Sequence, residues 1–411
     1  MTNKLKNRVV ITSTGFFSPL GNSEDIVISS MKNQTSVYTT LEFDQDVIAA
    51  PVRDFNVKAF TGRYKNARYL NRGAAFSLAS ALTAVKGSGL DKEQLSCAGL
   101  FTGAGPNMDI SNEIKHIDKG KIDPEGLSAL WLLRFLPNTP AAMIADILGV
   151  HGENFTISTA CATGIQTLGE AYRKILGGFL DIALAGSGDS RLNPGGVMAY
   201  KMAGALYTGT RSPQTGHRPF DIDRGGFAMG EGGAFFVFEA LDHALRRGAH
   251  IIAEICGFGS SMDAGSMTAP DPSGKWMEKA VINALKESQL EPGQIDVVSS
   301  HGTGTALNDA MEADLLGRVF KNDYPSVIAL KSWIGHTSAA CGAIELALVL
   351  CLMNQKFLPK IVNLERPISP DLNFVTKNKD QAFNTVLLQN FGFGGQNGAF
   401  VVKKWKQTDS I

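Results

Sequence analysis

Residues 158–164 read STACATG, a run of small residues between a strand-like stretch, 154–157, and an apolar helical pattern at Ile165, Leu168, Tyr172, Ile175, Leu176 and Phe179. Gly177 and Gly178 stop that pattern. Cys161 therefore falls at a strand-to-helix turn, near a helix N-terminus. The unsatisfied N–H groups and positive dipole end there favour thiolate over thiol. Such a cysteine is either a nucleophile or a small buried side chain in a tight turn, and this stretch alone does not choose between them.

The chain has 411 residues, enough for a large core and two to three domains by length. Zero net charge with 19% charged residues argues against a nucleic-acid binder or a polybasic membrane protein. Forty-four glycines against 16 prolines, spread along the chain, indicate many tight turns between packed elements. Five cysteines without a close pair point to a reducing, cytoplasmic setting. The basic start (Lys4, Lys6, Arg8) precedes an apolar run of only 9–11, too short for a signal peptide. The longest apolar run, 343–353, is about half a membrane span and contains Glu345.

Strand-like runs at 8–12, 98–102, 182–185, 234–238, 251–255, 295–299, 327–330, 386–389 and 399–402 alternate with helical patterns. Those patterns fall at 23–31, 74–85, 128–136, 141–148, 241–247, 277–288, 310–320 and 343–353, and 43–60 is expected to be irregular. The alternation predicts an α/β fold. The units around Cys161 and His336 share a strand, small-residue turn and helix, which predicts a duplicated architecture divided near residue 250.

Three more loops carry a reactive side chain after a strand: SHGTGTALND (300–309) with His301, LKSWIGHTSAACG (330–342) with Lys331 and His336, and FGFGGQNG (391–398). Loops at strand C-termini are where α/β proteins build their sites. His116, His151, His217, His243 and His250 lie in polar or mixed contexts and carry no such signal. One cysteine and two histidines also suit zinc, but no close ligand pair is present, so no metal is expected. A Cys–His protease leaves the second histidine unexplained.

In this order and spacing, STACATG, HGTGT, KSWIGH and GFGGQN resemble the four signatures of β-ketoacyl-acyl-carrier-protein synthases, of the elongating type II subclass in the thiolase superfamily. The resemblance runs from Arg8 to Val402. It implies a thiolase-like duplicated fold, layered α/β/α/β/α with mixed five-stranded sheets. Residues 1–250 would carry the nucleophile and 251–411 the two histidines. It implies a decarboxylating Claisen condensation, with Cys161 holding the acyl chain and the amides of Cys161 and Phe393 forming the oxyanion hole. By the same resemblance His301 and His336 stabilise the enolate, Lys331 pairs with Glu312, and Thr303 and Thr305 bind the phosphopantetheine arm. Phe393 would gate the site on a loop made mobile by Gly392, Gly394 and Gly395.

The resemblance further implies an acidic carrier protein as partner, guided by Arg63, Lys65, Arg68 and Arg211. It implies no tightly bound cofactor, since phosphopantetheine arrives on the carrier. It also implies a homodimer, or a heterodimer with a chain-length-factor-like subunit. Gln396, Asn308, Trp333, Ile334 and Cys341 depart from the fatty-acid pattern and incline the reading to a type II polyketide or polyene pathway, ahead of fatty-acid elongation. A thiolase would need a second catalytic cysteine near the C-terminus, and none follows Cys351. A non-catalytic chain-length subunit would lack Cys161.

Overall fold

A computed structural model describes residues 7–321 and 324–406; Lys4 and Lys6 of the basic start, and the extreme ends of both expected halves, lie outside the described residues. The first half supplies strands β1 (Val9–Phe17), β2 (Gly99–Gly103), β3 (Asn154–Ile157), β4 (Ile182–Ser190) and β5 (Met229–Ala240). The second supplies β6 (Ala253–Met262), β7 (Val297–Ser299), β8 (Ser326–Ile328), β9 (Thr385–Gly392) and β10 (Gln396–Lys404). The first five stand in the order β3-β2-β4-β5-β1 and the second five in the order β8-β7-β9-β10-β6. Each half has the same directions as well: three parallel strands, then two joined antiparallel. The duplication is therefore one of topology, which survives where the sequences of the two halves no longer match.

The five-stranded sheets are not separate. Val9, Val10 and Ile11 of β1 pair with Ile255, Glu254 and Ala253 of β6, so one ladder runs through both halves. The stretch expected to be irregular contains a strand, Asp44–Ala50, which pairs with the start of β5 through Ala49 and Ala50. Its buried positions, 47–50, form a continuous apolar run too short to be distinctive in sequence. The helix expected at 128–136 is only a 3₁₀ turn, Trp131–Arg134, caught between Pro137 and the preceding loop.

Five helices define the layers. α1 (Arg72–Ser88) covers the outer face of the first sheet against β1, β4 and β5. α2 (Thr163–Leu176) and α5 (Cys341–Gln355) lie between the sheets, touching each other and strands of both. α3 (Lys275–Ser288) covers β6 and β10 on the far side and packs on α4 (Ala306–Phe320). A helix between two sheets has no solvent side, so α5 is apolar all round, and every residue from Cys341 to Met353 is buried. The run 338–355 is long and apolar enough to cross a membrane, yet 89% of it is buried inside the fold.

The central helices meet at glycines. A Cβ on Gly164 would lie 2.8 Å from the Ala343 nitrogen, and one on Gly342 would lie 2.6 Å from the Ile165 nitrogen. Both obstacles are backbone, which cannot rotate away. Gly164→Ala is therefore expected to destabilise the fold by about 1–3 kcal/mol through overpacking, read as a lowered urea midpoint at unchanged slope.

Candidate active site

Each signature loop leaves the C-terminal end of a strand in the parallel part of its half: Cys161 follows β3, His301 follows β7, Lys331 and His336 follow β8, and Phe393 follows β9. The two turns before the central helices are built alike. Ala160 and Ser338 both take a left-handed backbone, with φ of 49° and 53°. A short 3₁₀ turn follows each, Ala160–Ala162 and Ser338–Ala340, before α2 and α5 begin. Non-glycine residues held in that region cost of order 1–3 kcal/mol, a strain the surrounding packing must offset. The His336 turn is also tied to the first half. Its N–H donates to the Ala228 carbonyl at 2.7 Å and its carbonyl accepts from Gly230 at 2.9 Å.

Cys161, His301, His336, Thr303, Thr305 and Phe393 line one cavity of about 330 Å³. The histidine rings stand edge-on with centroids 5.7 Å apart. The Thr303 and Thr305 hydroxyls are 2.9 Å apart. Phe393 is 38% exposed at the tip of the turn joining β9 to β10, where Gly394 and Gly395 take φ of 82° and 75°. Gly392 serves a different need. A Cβ there would crowd the Thr159 carbonyl at 2.8 Å and the Cys161 nitrogen at 3.2 Å.

The thiolate expected from the helix end is not the resting state. Burial pushes the Cys161 thiol up to about 11, against the opposing pull of the Lys331 charge and the Phe393 N–H bonded to its sulfur. The helix N-terminus is outweighed because the cysteine is buried.

Both histidines are held neutral. Burial lowers His301 well below its ordinary value, helped by the Lys331 charge and by His336. Burial does the same to His336, helped by Lys331 and His217. Each ring accepts a hydrogen bond at Nδ1. Asn390 Nδ2 stands 3.3 Å from Nδ1 of His301, and its orientation follows from its other bond, 2.8 Å to the Glu345 carboxylate, which can only accept. The Ser338 N–H reaches Nδ1 of His336 at 3.1 Å, and the Cys341 thiol lies at 3.1 Å from the same atom. Burial raises the Cys341 thiol, so it keeps its proton to donate. A ring accepting at Nδ1 carries its proton on Nε2. The site thus holds two uncharged N–H donors.

Lys331 does not pair with Glu312. Its Nζ lies 2.6 Å from Glu345 Oε1, and both side chains are 1% exposed. Burial works against the ammonium, but Glu345 more than offsets this and holds Lys331 above its ordinary value. The Glu312 carboxylate is already occupied. It accepts the backbone N–H groups of His301 and Gly302, the latter at 2.8 Å, and Gln389 Nε2 at 2.6 Å. Burial nevertheless pushes Glu312 up to about 7. Neither Lys331 nor Glu312 lines the cavity. Glu345 sits in an apolar run, and the charge it neutralises lies 14 positions earlier, so its partner was not legible locally.

His217 carried no signal in sequence but is completely buried beside the site. Burial lowers it to about 4. Its Nδ1 accepts from Ala228 at 3.3 Å, and its ring lies 3.2 Å from where a Cβ on Gly304 would stand. It braces the 301–305 turn without facing the cavity. The basic residues are dispersed. Arg63, Lys65 and Arg68 are exposed around a 3₁₀ turn, Lys65–Tyr69, rather than on one helix face, and none lines the cavity. Arg211 is paired with Asp223 at 3.0 Å in a recess that shares Gly204 with the cavity. Among the described residues no group of three His, Cys, Asp or Glu is placed to hold a metal.

Family models match both halves of the chain. The family described as "Beta-ketoacyl synthase, N-terminal domain" matches residues 6–244, and "Beta-ketoacyl synthase, C-terminal domain" matches 252–365. The chain is 33% identical to a 3-oxoacyl-[acyl-carrier-protein] synthase 2 of Coxiella burnetii, covering 97% of this chain and 99% of that protein. Among solved structures, the ishigamide ketosynthase/chain length factor is similar at 28% identity and a TM-score of 0.87, with 98% of this chain and all of that one covered. A type II polyketide ketosynthase, solved with its acyl-carrier protein and bound to the hexaketide, is similar at 25% identity and a TM-score of 0.87, with the same coverage.

The tautomer arrangement makes a graded prediction. Asn390→Leu removes the sole side-chain donor to His301 Nδ1 named above. It is expected to slow decarboxylation of a malonyl thioester about ten- to a hundredfold, more than it slows loading of Cys161. Cys341→Ala leaves the Ser338 N–H on His336 and should have the smaller effect. Carbon dioxide release, measured beside acylation by intact mass, checks the order.

Proposed function

The chain belongs to the β-ketoacyl synthase family of condensing acyltransferases, and from that premise we propose that it elongates an acyl chain held on Cys161 with a malonyl unit carried by an acyl carrier protein. The observation that carries this reading is the convergence of Cys161 with two neutral, Nε2-protonated histidines on one cavity. Cys161 Sγ attacks the acyl thioester, the carrier thiol leaves with the cysteine proton, and an acyl-enzyme forms. Amides of Cys161 and Phe393 receive the oxyanion. A malonyl thioester then enters. Its C–C bond to the carboxylate breaks, carbon dioxide leaves, and the electron pair becomes an enolate. Uncharged donors suit this step. They bond the growing negative charge on the thioester oxygen without forming an ion pair with the departing carboxylate. The enolate carbon attacks the acyl carbonyl, the bond to Cys161 breaks, and the β-ketoacyl thioester departs on the carrier.

Thr303 and Thr305 hold the phosphopantetheine arm in this reading, since their hydroxyls line the same cavity. Phe393 gates the site from its exposed turn, and Arg63, Lys65, Arg68 and Arg211 meet the acidic carrier. The division near residue 250 separates a half bearing the nucleophile from one bearing both histidines. A dimer is inferred across the edge of β3, which has no strand neighbour on that side among the described residues and where Phe155 is 42% exposed. The pathway we infer is of the type II polyketide or polyene kind, supported by similarity to the ishigamide ketosynthase and by Cys341, Asn308 and Gln396 in the signature loops. Fatty-acid elongation is the second reading, favoured by the 33% identical relative.

Cys161→Ala is expected to abolish acylation by an acyl-carrier protein, read as the missing mass increment; unchanged acylation would sink the assignment. His301→Ala and His336→Ala should each lower carbon dioxide release from malonyl-carrier protein by at least about a hundredfold, the usual scale for a lost transition-state donor. Co-purification from the native host distinguishes a second copy from a sister subunit lacking the cysteine.

A further inference from the structure

We propose that Asn308 binds the pantetheine arm, accepting an amide N–H of that arm on its side-chain oxygen. The inference rests on the reading of Cys161 as the acyl carrier, and it gives a role to a signature-loop residue that departs from the fatty-acid pattern. Asn308 lies in the first turn of α4, just after Thr305. It lines the cavity of about 330 Å³ together with Cys161, both histidines and both threonines, although only 8% of it is exposed.

The orientation of its amide is fixed from behind. Nδ2 donates to Asp309 Oδ1 and to Glu312 Oε2, each at 3.2 Å. Those two oxygens also accept backbone N–H groups, from Gly304 at 3.1 Å and from Gly302 at 2.8 Å. They stand as acceptors, so the nitrogen of Asn308 faces them and both its hydrogens are used. Oδ1 has no hydrogen-bond partner among the described residues. Gln396 Oε1 is likewise unpaired but sealed in the interior, whereas Asn308 Oδ1 is not sealed, and its residue lines the cavity.

The rest of the wall does not supply this group. Among the described residues lining the cavity, Asn308 alone has a side-chain carbonyl, and none has a carboxylate. The histidines present N–H groups, and the Thr303 and Thr305 hydroxyls bond each other at 2.9 Å. An amide that leaves water for this cavity needs a donor for its carbonyl and an acceptor for its N–H; a buried N–H left without one costs about 1–3 kcal/mol. Hydroxyls and imidazole N–H groups answer the carbonyl, and Asn308 answers the N–H. Neither the thioester nor the malonyl carboxylate offers that oxygen a hydrogen, so the arm is the part of the substrate it fits. Glu312 holds both Asn308 and the His301 N–H, which seats the arm against the loop that carries His301.

The test compares hexanoyl-pantetheine with its dioxa analogue, in which ester oxygens replace both amide N–H groups. Neither compound needs carrier docking. Loading transfers the hexanoyl group to Cys161 Sγ, releases the thiol with the cysteine proton, and is followed by intact mass. At subsaturating concentration the wild-type protein is expected to load the amide about tenfold faster than the ester, the scale of one buried hydrogen bond. Asn308→Ala should bring the two rates to within about twofold of each other. Asn308→Ser keeps a donor for Asp309 but is too short to reach the arm, and should do the same, which guards against a misfolded alanine variant. Damage confined to the His301 loop slows both compounds alike and leaves their ratio where it was. Equal wild-type rates overturn the inference, as does an unchanged ratio in a folded Asn308 variant. Failure of both compounds and of hexanoyl-carrier protein to load Cys161 would instead overturn the parent reading, and this one with it.

Discussion

The close crossing of the two central helices is the constraint on which the site depends. At Gly164 and Gly342 the backbones of α2 and α5 approach to where a methyl group does not fit. That contact sets the preceding turns side by side, one carrying Cys161 and the other His336. The strained residues Ala160 and Ser338 occupy equivalent places in those turns, so the same backbone bend is used twice. The glycines of the outer loops serve their own sites; these two relate the halves. The short β1–β6 ladder adds only three residue pairs and joins the sheets at their edges, far less intimately than the helices join the centres.

Charge behind the histidines is arranged around a buried cation, Lys331. Burial, helped by the Lys331 charge, keeps both histidines from protonating, and Lys331 pulls on the Cys161 thiol while remaining outside the cavity itself. Its countercharge, Glu345, bonds Asn390, which in turn bonds His301. One chain of contacts thus couples the cation to the tautomer of His301. A buried pair of this kind does little for stability relative to an apolar pair. Its loss from one side would leave an uncompensated charge buried behind the histidines.

Much of this was legible in the chain. The turns at Cys161, His301, Lys331, His336 and Phe393 are local motifs, set by glycines and small residues next to strands, and their order carried both fold and chemistry. What sequence reading missed was long-range. Glu345 hides within an apolar helix, Asn390 lies on a strand, Tyr38 bonds the Lys331 carbonyl at 2.8 Å from almost 300 positions away, and His217 is buried by elements remote in sequence. The resting charge of Cys161 was misjudged for the same reason. A helix end is visible in a local pattern, whereas the desolvation that outweighs it is a property of the assembled core.

Equivalence between the two turns also shows how a duplicated scaffold yields one reaction centre. Both 3₁₀ turns have three residues, and the middle one is Cys161 in the first half and Ala339 in the second. The Ala339 amide is taken up by Asp189, at 3.1 Å. The Cys161 amide instead faces the bare backbone of Gly392, next to the turn that brings the Phe393 N–H to the sulfur. In one copy the turn is locked by a carboxylate that also fixes Arg191; in the other the Cys161 nitrogen lies where a side chain on Gly392 would crowd it. Two similar backbone turns therefore differ in what stands opposite a single amide.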